Sequence, residues 1–230
     1  MKIVFDNCQG MDCKASLWGF SAYLGRYKML FDTGSNGRVL LKNLSRNNIS
    51  VKDIDYIFIS HDHWDHIGGI DSVLELNQNI TIFAPSALSK NHIRDLENLS
   101  KKVILIGRKP LNLFGNLYST GMLGEDNAEH SLIINSAAPT LVAGCGHYGI
   151  ANIVQVARDI IGRDVKRVAG GFHLLDESKE NISLQINRLK VLGVEDVLPT
   201  HCTGSIAIDM FREVFSNRCL LGGTGTYFKL

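Results

Sequence analysis

The sequence predicts an α/β fold with two sheets and helices outside both. Three observations carry this expectation. Short β-branched runs alternate with segments of helical spacing. The first part of the chain is β-rich, and the later part repeats a strand, a loop of ligand-type residues and a helix. The chain has 230 residues and is 45% apolar, enough to bury the core of one large α/β domain or two small ones. Without an internal repeat, low-complexity tract or linker, a single domain over residues 1–230 is expected.

Trp18 to Leu24 and Lys28 to Phe31 flank Gly25-Arg26-Tyr27 and read as a hairpin ended by Asp32-Thr33-Gly34. Arg38 to Asn47 has helical spacing at Val39, Leu40 and Leu44. Asp55 to Ser60 reads as a buried strand, and Ile67 to Leu76 as a helix with Ile70, Val73, Leu74 and Asn77 near one face. Ile80 to Ala84, closed by Pro85, and Lys102 to Ile106 read as strands. Leu111 to Tyr118 reads as β structure with a turn at Gly115-Asn116.

Ser131 to Ser136 and Thr140 to Ala143 read as a second hairpin around Ala137-Ala138-Pro139. Then come a helix over Gly149 to Ile160, a strand over Val165 to Ala169 and a helix over Glu180 to Leu192. A strand over Glu195 to Leu198 and a helix over Ser205 to Phe215 follow, with an edge strand expected over Thr224 to Lys229.

Charge and composition exclude several classes. Lys plus Arg number 24 and Asp plus Glu 23, a net charge of +1, which gives no electrostatic reason to expect nucleic acid as a partner. No apolar stretch approaches the roughly 20 residues needed to span a bilayer. The start Met1-Lys2-Ile3-Val4-Phe5-Asp6 has too short an apolar run for a secretory signal. The five cysteines, Cys8, Cys13, Cys145, Cys202 and Cys219, are odd in number and scattered, which suits a reducing cytoplasm better than a disulfide framework.

The chemistry concentrates at His61-Asp62-His63-Trp64-Asp65-His66, directly after the apolar run Tyr56-Ile57-Phe58-Ile59. Three imidazoles and a carboxylate, His61, His63, His66 and Asp65, are metal ligands of the type found at catalytic zinc, iron or manganese sites. His61 and His63 can point to one side of the loop, and Asp65 and His66 follow at the start of a helix. Such a run can serve two metals. A solvated polar loop is the bland alternative.

Three later loops have a similar build. Leu141-Val142-Ala143 leads into Gly144-Cys145-Gly146-His147-Tyr148-Gly149 and a helix. Asp196-Val197-Leu198-Pro199 leads into Thr200-His201-Cys202-Thr203-Gly204 and a helix. In open α/β sheets ligands gather at the carboxyl ends of strands, so His147 and His201 are expected at a shared site. His173, in Gly170-Gly171-Phe172-His173-Leu174, reads as a substrate contact ahead of a metal ligand, an acid/base group or a core histidine. His130 is expected opposite residue 145, as either a further ligand or an exposed residue ahead of a strand. His92 lies in a polar helical stretch and reads as surface. Asp32 is expected to accept bonds from loop amides or to orient a ligand histidine.

These residues resemble the metallo-β-lactamase superfamily. Its His-x-His-x-Asp-His signature stands here as His61 to His66, followed by Ile67-Gly68-Gly69, and the Phe31-Asp32-Thr33-Gly34 turn is a second mark. The resemblance implies a four-layer αβ/βα sandwich of two mixed sheets with outer helices and a dinuclear metal centre. Gly144-Cys145-Gly146-His147, Gly170-Gly171-Phe172-His173-Leu174, His201-Cys202-Thr203-Gly204 and Asp6-Asn7 are similar to the branch that includes the archaeal dihydropterin–ribofuranosylaminobenzene phosphate synthase. Most superfamily members carry a metal-bridging aspartate in a Gly-Asp pair; here that pair is Gly144-Cys145. Cys8 to Ser16 also departs from the branch.

The resemblance implies a metal-dependent hydrolase that activates water against a small anionic substrate, a phosphate or other ester. The expected ligands are His61, His63 and His147 for one divalent transition-metal ion and Asp65, His66 and His201 for the other. Zinc is the first choice, with manganese or iron as alternatives. Asp65 and His173 are the catalytic residues. The alternatives are a transferase that condenses a pterin diphosphate with an aminobenzene ribofuranosyl phosphate, and a non-catalytic metal sensor.

Overall fold

A computed structural model describes residues 1–7 and 16–230. Cys8, Cys13 and most of the departure from Cys8 to Ser16 lie outside the described residues. The chain divides into two compact units, Met1–Gly107 with Gly223–Lys229, and Arg108–Gly222 with Leu230.

The sheet of the first unit contains β1 (Lys2–Asp6), β2 (Phe20–Leu24), β3 (Met29–Phe31), β4 (Tyr56–Phe58), β5 (Thr81–Pro85) and β6 (Lys102–Ile106), side by side in chain order. The first two pairings are antiparallel and the other three parallel. Parallel neighbours need crossovers, and helices α1 (Gly37–Arg46), α2 (Trp64–Ile67), α3 (Ile70–Leu76) and α4 (Lys90–Leu99) lie on them. Asn36 caps α1 by accepting from the Val39 amide at 3.1 Å, which satisfies an orphan donor of the first turn. Leu40 and Leu44 of α1 and Val73 and Leu74 of α3 pack with Leu30, Ile57, Ile59 and Ile82 of the sheet.

The second unit is built the same way. Strands β7 (Leu111–Phe114), β8 (Leu117–Ser119), β9 (Leu132–Ile134), β10 (Thr140–Ala143), β11 (Arg167–Gly171) and β12 (Asp196–Thr200) again follow chain order. Three pairings are antiparallel and two parallel. Helices α5 (Ile150–Ile161), α6 (Lys179–Val191) and α7 (Ser205–Phe215) contribute Ile153, Val154, Ile186, Leu189 and Phe211 to a core with Leu141, Val168 and Val197. Both sheets are thus mixed and flanked by helices, as the fold class required.

Several elements differ from expectation. The helix expected over Ile67 to Leu76 is two helices, because Gly68 and Gly69 interrupt it. A Cβ at Gly69 would lie 2.3 Å from the Thr33 carbonyl oxygen, so the chain there runs too close to the loop after β3 for a side chain. The strand expected over Val165 to Ala169 runs two residues later, with Lys166 and Arg167 amides first bonding the Pro139 carbonyl. Thr224 to Lys229 is not a regular strand; it touches β1 through an isolated antiparallel bridge between Lys2 and Tyr227. β1 was not anticipated: its alternation is masked by continuous burial from Ile3 to Asp6. Among the described residues no helix is long and apolar enough to cross a membrane.

Candidate metal centre

In the first unit the site grows from the carboxyl ends of β3 and β4. These strands run parallel with Phe31 beside Phe58, their rings stacked at 5.1 Å. The next residue, Asp32, turns into the left-handed region at φ 52° and is fully buried. Its amide donates to the Phe58 carbonyl at 2.8 Å, which fixes the carboxylate under the loop after β4.

That carboxylate organises the histidines. Its Oδ1 accepts from the Ser60 amide at 2.7 Å, and its Oδ2 from the Ser60 hydroxyl at 2.7 Å. Nδ1 of His66 lies 2.7 Å from the same Oδ2. An ionised carboxylate only accepts, so His66 Nδ1 carries the proton and Nε2 the lone pair. The Ser60 hydroxyl has donated its proton to Asp32, so it accepts from His61 Nδ1 at 2.9 Å. His61 therefore also carries its lone pair on Nε2. That nitrogen lies 3.0 Å from Nδ1 of His63, and the rings of His61 and His66 are 4.2 Å apart. Asp65 Oδ2 lies 3.7 Å from His66 Nε2. The structure thus brings His61, His63, Asp65 and His66 together, and Asp32 accepts from a loop amide and orients His66.

In the second unit β10, β11 and β12 run parallel and their carboxyl ends carry the remaining loops. Cys145, His147 and His173 offer donor atoms within 4.8 Å of one another, and so do Cys145, His201 and Cys202. The rings of His147 and His173 are 4.3 Å apart. Backbone bonds lock these loops: the Leu174 amide donates to the Cys202 carbonyl at 3.2 Å, and the Phe172 amide to the Thr203 hydroxyl at 3.1 Å. His173 and His201 both sit at positive φ, 51° and 53°, a strain typical of functional positions. Burial opposes ionisation of the Cys202 thiol, but its bonds with Cys145 and His173 outweigh that and hold it well below the usual thiol range. His173 is raised, first by its bond to Cys202 and against the effect of burial.

His130 is neither an exposed residue nor opposite residue 145. The register Thr140↔Ile134 and Val142↔Leu132 carries residue 130 opposite 144 when extended. Its ring is fully buried with Nδ1 2.8 Å from the Ser119 hydroxyl. The residue that reaches the Gly144–His147 loop is its neighbour Glu129, which sequence reasoning missed. His92 lies half-buried in the first turn of α4, where its amide donates to the capping Ser89 hydroxyl at 3.2 Å.

The donors fit a transition-metal ion. In the first unit a buried carboxylate fixes two imidazoles with Nε2 outward, the orientation that a supporting carboxylate gives a ligand histidine. In the second, the buried His201, Cys145 and Cys202, the half-buried His147 and the exposed His173 stand at the ends of parallel strands. Imidazole with carboxylate or thiolate suits zinc and iron.

The fold and these strand-end donors define a class. A family model described as the metallo-β-lactamase superfamily matches residues 22–201, and the chain belongs to that superfamily. The superfamily implies divalent metal ions. The chain is 31% identical to 7,8-dihydropterin-6-methyl-4-(β-D-ribofuranosyl)-aminobenzene-5′-phosphate synthase of Methanocaldococcus jannaschii, over 82% of this chain and 79% of that protein. A crystal structure described as a metal-dependent hydrolase of the β-lactamase superfamily superposes with a TM-score of 0.81 and 26% identity, covering 100% of this chain and 98% of the other. The metallo-β-lactamase fold protein YhfI from Bacillus subtilis superposes with a TM-score of 0.70 and 16% identity, over 99% and 98% of the two chains. That likeness speaks to the fold alone.

Proposed function

We propose that this protein is a metal-dependent hydrolase of a small anionic substrate, a phosphate or other ester, working with two divalent transition-metal ions. Zinc is the first choice, and manganese or iron the alternatives. The observation that supports this best is the Asp32 network. One buried carboxylate sets both His61 and His66 to offer Nε2, an arrangement that packing alone does not require. The ligand assignment is His61, His63 and His147 for one ion and Asp65, His66 and His201 for the other. When bound, the ions supply polarisation of a substrate oxygen and lower the pKa of bound water towards about 7.

The chain's own residues do the rest. Asp65 orients the attacking water. His173, exposed and raised in pKa by its bond to Cys202, is the contact for a phosphate or leaving group. Cys145, Cys202 and Cys219, present as thiols, accord with a cytoplasmic location, and the near-neutral net charge of +1 with a small-molecule substrate rather than nucleic acid. We read residues 1–230 as one metallo-β-lactamase-like domain. The test is release of nitrophenol from bis(4-nitrophenyl) phosphate and from nitrophenyl carboxylate esters by zinc-, manganese- and iron-loaded protein. Turnover that chelation abolishes and metal restores supports the reading. No metal-dependent turnover of any ester would sink it.

A transferase is the second reading, favoured by the synthase that is 31% identical over 82% of this chain. Here the aromatic amine nitrogen replaces water as the nucleophile, its bond to the pterin methylene carbon forms as the bond to pyrophosphate breaks, and the same residues would hold the metals. Pyrophosphate released from a pterin diphosphate only when an aminobenzene ribofuranosyl phosphate is added would select this reading over the first.

A further inference from the structure

Four successive backbone amides in the second unit point at one side chain. The amides of Gly144 and Cys145 donate to Oε1 of Glu129 at 2.8 and 3.0 Å. Those of Gly146 and His147 donate to Oε2 at 2.8 and 3.1 Å. Consecutive N–H groups converging in this way make an anion nest. Gly146 permits it, because its φ of 75° lies in the left-handed region. The anion in the nest is the protein's own carboxylate, on a residue only 2% exposed.

Glu129 is itself rigidly held. The Leu123 amide donates to its carbonyl at 2.9 Å, and its amide to the Leu123 carbonyl at 3.1 Å. Two residues on, the Ser131 amide donates to the Thr120 hydroxyl at 2.9 Å. A buried charge is costly unless fully bonded, and each bond to a charged acceptor is roughly twice as strong as a neutral one. The product of this arrangement is a fixed loop that presents Cys145 and His147. Regular pairing of β10 ends at Ala143, and beyond it the Gly144 carbonyl accepts from the Gly171 amide at 3.1 Å and the Gly146 carbonyl from the Gly149 amide at 2.8 Å, while the Glu129 carboxylate takes the four amides of the loop itself.

We propose that Glu129 is the positioning residue of the metal centre: its carboxylate shapes the Gly144–His147 loop before metal arrives and so sets the pose of His147. The proposal rests on the reading of His147 as a metal ligand. Glu129 acts through backbone amides, so its substitution alters affinity and ligand geometry without removing a donor.

The first test uses hydrogen exchange on the full-length, metal-free protein. The amides of residues 144–147 are expected to exchange slowly before any metal is added. Fast exchange that slows only on adding zinc overturns the proposal, because the metal would then order the loop. The second test compares variants loaded with cobalt(II). Glu129→Gln, whose amide nitrogen would face two donors, is expected to weaken binding of one ion about 10- to 100-fold and to shift the visible cobalt spectrum. Glu129→Asp should fall between it and the parent, and formate should partly restore Glu129→Ala. A folded Glu129→Gln with unchanged affinity and spectrum overturns the proposal. If that variant does not fold, the exchange result decides. His147→Ala separates the two ideas. If it keeps both ions, the ligand reading falls. If it loses one while Glu129→Gln keeps both, only the role of Glu129 falls.

Discussion

Asp32 holds a left-handed backbone at φ 52° and, from one buried carboxylate, fixes Ser60 and His66 directly and His61 through Ser60. Asparagine tolerates that backbone region, so Asp32→Asn removes the charge without straining the turn. The variant is expected to stay folded and to bind metal about 10- to 100-fold more weakly, measured by competition with a chelator. Unchanged affinity would reduce Asp32 to a folding role. At the loop after β10, His147→Ala is expected to lose an ion and turnover, whereas Cys145→Ser keeps both. Loss of an ion in Cys145→Ser alone would reverse that assignment. Ligand-type residues were legible here because they are contiguous: the six positions from His61 to His66 include the four expected ligands His61, His63, Asp65 and His66. Glu129 was not legible. Its partners are backbone amides 15 to 18 residues away, and a backbone donor leaves no mark in residue type. Only the hairpin register could have pointed to it, and the expected register was one residue off.

At the level of elements, the strand Thr140 to Ala143 was read closely, because burial leaves an uninterrupted signal. Helix ends and breaks were read less well. Periodicity continues across Gly68-Gly69, while the break comes from the Thr33 carbonyl, 35 to 36 positions earlier in the chain and invisible to a local window. Gly69→Ala would place a Cβ 2.3 Å from that oxygen, against backbone that cannot yield without moving the turn that holds Asp32. It is expected to lower the urea midpoint by an amount equivalent to about 1–3 kcal/mol. A midpoint equal to the parent would mean that the turn shifts freely. After α7, the Cys219 thiol is pushed up to about 11 by burial, from 9.0. A raised acid pKa favours folding while the thiol is neutral. This contribution is whole below pH 9 and fades as pH rises from 9 towards 11. The fall in stability over that window should be smaller in Cys219→Ala than in the parent. An equal fall would assign the alkaline loss to other groups.

For the whole molecule, the superfamily model spans residues 22–201 and so runs through both compact units. The two-sheet architecture was legible because each sheet takes its strands in chain order; long-range strand exchange would have hidden it. Since the proposed ligands His63 and Asp65 follow a strand end and lie outside the apolar core clusters, His63→Ala and Asp65→Ala are each expected to keep the fold, seen by circular dichroism, while losing metal and activity. Outright unfolding of either one would make that residue structural. The central claim is that these strand-end residues hold metal. The direct measurement is element analysis of the protein purified without oxygen and then offered zinc, manganese or iron(II). About two transition-metal ions per chain are expected, because six ligands exceed the four that one zinc ordinarily takes. Protein that arrives metal-free and takes up none of the three would contradict the account.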